Sequence, residues 1–177
     1  MAGETRERLL HAATTVIRTV GMCALTLEAV AAEAGVSKGG LLYHFPSKEA
    51  LVDGLIEWWH EQFEESLSRT DDEGSGAFAR AYLRASAQGE TTTDEQATDR
   101  GLLAVFTGHP DRLDPVRRRF EAWQERLLAD AADGVDATIV RLASDGLWFA
   151  DLYGLGAPTE EMRRRVLERL DAMTRAT

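Results

Sequence analysis

Between Thr26 and Leu51 the sequence TLEAVAAEAGVSKGGLLYHFPSKEAL sets a helix start, a helix stop or a proline every few residues. Thr26, Ser37 and Ser47 each stand just before a helical run. A side-chain oxygen at such a place accepts from backbone N–H groups that a first helical turn leaves unpaired. Leu27, Val30, Ala31 and Ala34 fall at i, i+3, i+4 and i+7, with Glu28 and Glu33 facing outward. Gly35 tolerates the left-handed backbone that ends a helix tightly. A short third helix runs from Ser37 to about His44, Pro46 breaks it, and Ser47 opens a fourth through KEALVDGLIEWWHEQFEESL. Two short helices around a glycine turn, braced by an earlier helix, form a helix-turn-helix unit whose second helix can enter a DNA major groove.

The brace is residues 5–20, where Leu9, Ala13, Val16, Ile17 and Val20 share one face before Gly21 stops the run. Downstream the same period recurs. Helices are expected over residues 77–88, around Leu102, Leu103, Val105 and Phe106, and from the Asp114–Pro115 pair through Val116, Phe120, Trp123 and Leu127. Asp136 is placed to cap ATIVRLASDGLWFADLYGLG, and a last helix is expected from about Pro158. GETTTDEQ at residues 89–96 reads as a loop. Without β alternation or an internal repeat, the fold class is all-α, with the helix-turn-helix DNA-binding unit over 1–46 and a helical remainder over 47–177.

A net charge of -10 over 177 residues argues at first against a nucleic-acid partner. The distribution of that charge removes the objection. Arg6, Arg8, Arg18, Lys38 and Lys48 balance Glu4, Glu7, Glu28, Glu33 and Glu49 within residues 1–50, so the acidic excess lies wholly in the remainder. No run is apolar enough for a membrane helix, and the charged N-terminus does not resemble an export signal. The lone Cys23 forms no internal disulfide, and four scattered histidines offer no zinc spacing. A cytoplasmic protein without metal or cofactor is expected. His60 and Glu64 lie one helical turn apart, yet the second histidine of a metalloprotease motif is missing, and a solvated helix face is expected there.

Within the reading helix, Lys38 lies in the first turn, where its ammonium can reach a base edge or a phosphate. Gly39 and Gly40 remove side chains where backbone must approach a surface. The Tyr43 hydroxyl can anchor a phosphate while Phe45 enters the core, and the helix start at Ser47 and Lys48 suits another phosphate. These residues, with the tyrosine-histidine-phenylalanine run and the following PSK, resemble the DNA-binding signature of the tetracycline-repressor (TetR) family of bacterial transcriptional regulators. The resemblance implies DNA-facing roles for Thr26, Lys38, Tyr43, His44 and Lys48, with Ser37 opening the reading helix and Gly39 and Gly40 permitting close approach. Many members carry a polar residue where Gly40 stands and a tyrosine where Leu42 stands. Recognition here would lean on Lys38, on contact of Leu42 with thymine methyl groups, and on DNA shape.

The resemblance also implies a homodimer built from the last two helices and an effector site in the acidic part. Interface candidates are Ile139, Leu142, Gly146 and Phe149 on one helix and Met162, Val166, Leu170 and Met173 on the next; the alternative is packing within one chain. Candidates to line a site for an apolar or aromatic small molecule are Trp59, Phe63, Tyr82, Phe106, Phe120, Trp123, Trp148 and Asp151, each of which could instead serve the core. Asp145 and Asp151 interrupt an apolar helix and must pair with arginine, face water or face a ligand. The function expected is a ligand-responsive repressor released from a palindromic operator on double-stranded DNA. The rival is a small helical carrier or enzyme, and the chain lacks GxSxG, phosphate-loop glycines and HExxH, so no catalytic residues are expected.

Overall fold

The computed structural model describes residues 2–69, 72–88 and 113–175, and every regular element among them is helical. The helices are α1 (Ala2–Val20), α2 (Leu27–Glu33), α3 (Lys38–His44), α4 (Lys48–Ser68), α5 (Ala77–Leu83), α6 (Leu113–Asp130), α7 (Gly134–Tyr153) and α8 (Glu160–Thr174). A 3₁₀ turn (Met22–Ala24) precedes α2, and a π-helical turn (Arg84–Gln88) extends α5. The chain divides into two compact units, one holding residues 1–61 and 91–113, the other 62–90 and 114–177. The expected helix over Leu102–Phe106 and the loop at 89–96 lie outside the described residues.

In the first unit the three caps form as their residue types require. The Thr26 hydroxyl oxygen accepts from the Ala29 N–H, that of Ser37 from Gly40, and that of Ser47 from Ala50, each at 3.1 Å. Gly21 and Gly35 take φ of 82° and 65°, and after Gly35 the Val36 N–H returns to the Ala31 carbonyl at 3.0 Å, which folds the chain from α2 into α3. The buried side chains are Leu9, Leu10, Ala13, Val16 and Ile17 of α1, Leu25, Val30 and Ala31 around α2, Leu41 of α3, Phe45 after it, and Leu51, Val52, Leu55 and Ile56 of α4. Val20, expected inward, is exposed because α1 ends there and the chain turns away at Gly21. Gly54 gives Phe45 its seat: a Cβ there would stand 2.6 Å from the Phe45 ring.

The second unit is a helical bundle with two apolar clusters. Leu83, Val140, Leu147 and Leu170 join α5, α7 and α8, with Ala143, Val166, Leu167 and Met173 packed on them. Ala79, Leu127 and Ala137 join α5, α6 and α7, with Phe78 and Ala131 alongside. Buried Arg80 makes four hydrogen bonds: Nε donates to Asp72, and the Nη groups donate to the carbonyls of Ser75, Glu73 and Thr174. Gly76 (φ 76°) passes so near the Thr174 carbonyl that a Cβ would collide with it.

Helix starts differ from expectation at three places, each for a local reason. Asp133, not Asp136, caps α7, accepting from Val135 at 2.7 Å and Asp136 at 3.2 Å. Thr159 caps α8 through the Met162 N–H, because Pro158 has no side-chain acceptor. Asp114 lies inside the first turn of α6 and takes a hydrogen bond from Arg117 at 2.6 Å.

Glu64 near the end of α4 fastens that segment to α6. The Trp123 indole donates to Oε1 at 2.7 Å, Arg126 donates to both oxygens at 3.1 and 2.9 Å, and Arg119 stands 3.6 Å away. Partial burial pushes the Glu64 carboxyl up, but the Trp123 and Arg126 hydrogen bonds and the two arginine charges outweigh it and hold the group below its ordinary value of 4.5.

Two substitutions probe this packing. Gly54→Ala forces the buried Phe45 ring to move and should destabilise the protein by about 1–3 kcal/mol in urea unfolding. Glu64→Gln should lower the urea midpoint at about pH 7. Because the folded carboxyl titrates below the unfolded one, its stabilisation is complete above 4.5 and fades as pH falls through the folded value, so parent and variant should converge in acid.

Candidate nucleic-acid interface

Helix α3 divides cleanly into two faces. Leu41 is buried, as is Phe45 just beyond the helix, whereas Lys38, Gly39, Leu42 and Tyr43 are exposed, Tyr43 to 82%. That division follows from helical spacing: positions 39 and 43 stack on the face opposite Leu41, and 38 and 42 stack on its flank. Thr26 and Ser37 are exposed beside it, and Gly40, His44 and Lys48 are half-buried. The Tyr43 ring meets His44 edge-on at 5.1 Å. All nine residues expected to face DNA thus fall on three consecutive helix starts and one short helix.

The two glycines of α3 have no internal reason to be glycine. Neither takes a positive φ. A Cβ on Gly39 would meet only the Ser37 hydroxyl at 3.9 Å, and one on Gly40 would make ordinary contacts at 3.4 and 4.0 Å. Packing within the chain would accept alanine, with a gain in helix propensity of about 1 kcal/mol for each. What glycine supplies instead is a bare backbone on the exposed side of the helix.

Two charged groups at this site escape sequence reasoning. Glu28, read as merely outward-facing, pairs with Lys38 at 2.6 Å, and the Lys38 hydrogen bond holds its carboxyl below the ordinary glutamate range. Arg6 of α1 pairs with Glu57 of α4 at 3.1 Å while its guanidinium lies 5.7 Å from the Phe45 ring centre. Neither pairing has a sequence signature, since ten and fifty-one positions separate the partners.

Among the effector candidates, the second unit brings four rings together. Trp123 is buried at the centre, 4.7 Å from Phe63, 5.0 Å from Phe120 and 6.0 Å from Tyr82 between ring centres. Beside them runs a polar chain. Tyr82 donates to Asp145 at 2.7 Å, Arg141 donates to Asp145 at 3.0 Å and to Gln124 at 2.5 Å, and Gln124 donates to Thr138 at 2.8 Å. Burial pushes the Asp145 carboxyl above the ordinary aspartate range, against the pull of Tyr82 and Arg141. Burial and the neighbouring Asp145 charge drive the Tyr82 hydroxyl far above its own, so it stays a hydrogen-bond donor.

The other effector candidates are placed elsewhere. Asp151 pairs with Arg163 of α8 at 2.7 Å, so both interrupting aspartates meet arginines of their own chain. Trp148 is half-buried on α7, and Trp59 is half-buried in the first unit beside His60. Phe106 lies outside the described residues. His60, expected on a solvated face, is buried because α4 turns that position inward with Ile56. Among the described residues no group of three His, Cys, Asp or Glu side chains could hold a metal ion, and no helix is long and apolar enough to cross a membrane.

The interface candidates separate into two sets. Ile139, Leu142, Gly146 and Phe149 line one exposed face of α7, with Leu142 exposed to 56% and Phe149 to 46%, and Met162 is exposed on α8. Val135 and Tyr153 lengthen that face at either end. Leu170, by contrast, is buried in the chain's own core with Val166 and Met173 packed against it.

Comparison with known proteins agrees with this architecture at both ends. The family described as "Bacterial regulatory proteins, tetR family" matches residues 9–55, and "Tetracyclin repressor-like, C-terminal domain" matches residues 76–175. The HTH-type transcriptional regulator LmrA of Bacillus subtilis is 32% identical over 130 residues, covering 70% of this chain and 67% of LmrA. A proposed TetR-family regulator from Rhodococcus sp. superposes with a TM-score of 0.76 at 21% identity, covering 97% of this chain and 99% of that one. The multidrug binding protein EbrR in complex with ethidium gives a TM-score of 0.68 at 26% identity, over 94% and 98% of the two chains. With a capped helix-turn-helix at its start, a helical bundle after it and both family matches, this chain belongs to the TetR family of DNA-binding transcriptional regulators.

Proposed function

We propose that this regulator is a ligand-responsive repressor: a homodimer that holds a near-palindromic operator through its two α3 helices and releases it when a small apolar or aromatic molecule binds. The observation that carries the DNA-reading part is the exposed face of α3, with Leu42 and Tyr43 unburied and two glycines for which internal packing has no use. In this reading residues 1–46 read DNA, with Thr26, Ser37, Lys38, Gly39, Gly40, Leu42, Tyr43, His44 and Lys48 at the contact, and residues 47–177 bind effector and dimerise. The protein works in the cytoplasm by binding alone, without catalysis. Two reading helices about 34 Å apart match successive major grooves on one side of the duplex. The effector part is supported by the Phe63, Tyr82, Phe120 and Trp123 rings and by the aromatic ethidium bound to EbrR. An effector weakens DNA binding only to the extent that it prefers a dimer geometry with the wrong spacing.

Dimerisation through α7 is supported by its exposed apolar face, since monomers seldom leave such a contiguous stripe in water. Leu142→Glu with Phe149→Glu should give monomers in sedimentation equilibrium and weaken operator binding by at least about a hundredfold through loss of bivalency. Stable dimers in that variant would refute the α7 interface.

The DNA-reading assignment is tested by selecting genomic fragments with the purified protein and titrating the winners at several salt concentrations. A palindromic site should emerge, bound with affinity that falls steeply in salt. Lys38→Ala, Tyr43→Ala and Lys48→Ala should each weaken it by about fivefold or more, and a phosphate-contacting lysine should reduce the salt slope by about one. Absence of any enriched fragment would overturn the reading.

A further inference from the structure

In the free protein the cation at the start of the reading helix is already engaged. Lys38 Nζ lies 2.6 Å from Glu28 Oε1, and both side chains remain open to solvent, at 58% and 63%. The pairing joins the first turn of α2 to the first turn of α3 on the side where Thr26, Ser37 and Tyr43 are exposed. A carboxylate there does two things to an approaching duplex. It repels phosphates directly, and it competes with them for the ammonium that would otherwise attract them.

The charge balance makes this competition matter. Residues 1–50 carry no net charge, and the DNA-facing set holds only two full cations, Lys38 and Lys48. Non-specific binding is almost wholly phosphate attraction and counterion release, so cancelling one of two cations strikes it hardest. A cognate site offers Lys38 something else, a base-edge acceptor held in fixed geometry in the groove, together with the close contacts that Gly39, Gly40 and Leu42 allow. Exchange of Glu28 for such an acceptor is favourable where exchange for a hydrated phosphate is nearly neutral.

We infer that Glu28 is a specificity-determining residue of this regulator: by holding Lys38 in the free protein it suppresses binding to arbitrary DNA more than binding to the operator. The inference rests on the DNA-reading assignment of α3, and it concerns how well the protein discriminates rather than whether it binds. Glu28 is exposed on the first turn of α2, outside the core of the first unit.

The test measures full-length protein, Glu28→Gln, Lys38→Ala and the double variant by fluorescence anisotropy. The probes are the selected operator and a scrambled duplex of equal length, each titrated across a salt series, with thermal melts as a folding control. Glu28→Gln should raise affinity for scrambled duplex by about tenfold and steepen its salt slope by about one, while operator affinity rises by less than about threefold. In the Lys38→Ala background the same substitution should change scrambled-duplex affinity by less than about threefold, because the competing ammonium is gone. Equal gains on both duplexes, an undiminished gain without Lys38, or weakened binding with an unchanged slope would each overturn the inference. A parent protein that binds neither duplex at low salt would bring down the DNA-reading assignment itself, a result distinct from those three.

Discussion

A seven-residue α-helix does not hold together by itself in water, because nucleation costs more than so few hydrogen bonds return. Both α2 and α3 are of that length. They exist because each has its first turn closed by a side-chain oxygen and its inner face pinned by residues from neighbouring helices. Leu41 and Phe45 bracket the reading helix from within, and Phe45 fits only because α4 carries glycine at position 54. The exposed face of α3 depends on that fit, since the direction in which Leu42 and Tyr43 point is fixed by where Leu41 and Phe45 are held.

The second unit is organised on a different principle. Its apolar clusters are threaded by buried or half-buried polar groups whose partners come from other segments: Arg80 with Asp72 and the end of α8, Tyr82 with Asp145, Trp123 with Glu64. Such networks penalise any rearrangement that leaves one member unpaired, which favours a few discrete arrangements over continuous deformation.

Much of the fold was legible from the sequence, and the reason is that caps and glycine stops act locally. Thr26, Ser37, Ser47 and Gly35 fix helix ends through atoms at most a few residues away, so α2, α3 and the start of α4 could be read directly. The start of α7 was misplaced because Asp136, three positions beyond Asp133, offered an equally good local signal, whereas α8, expected from about Pro158, is capped by the adjacent Thr159. What sequence could not supply were pairings across the fold. The Glu28–Lys38 bridge, the Glu64–Trp123 hydrogen bond and the inward turn of His60 all depend on which helix lies beside which, and no periodicity encodes that. Likewise the stripe of Met162, Val166, Leu170 and Met173 looked uniform, yet the structure gives Met162 to the surface and Leu170 to the core.

The Arg80 cluster also imposes an order on the making of the protein. Its last acceptor, the Thr174 carbonyl, is 94 residues further along the chain, whereas α1, α2 and α3 all lie ahead of Arg80. At typical rates of synthesis, an interval of about 5–20 s separates emergence of Arg80 from emergence of its partner. During that interval the helix-turn-helix has been made while the Arg80 cluster still lacks one of its acceptors, and the guanidinium stays hydrated until the end of α8 arrives.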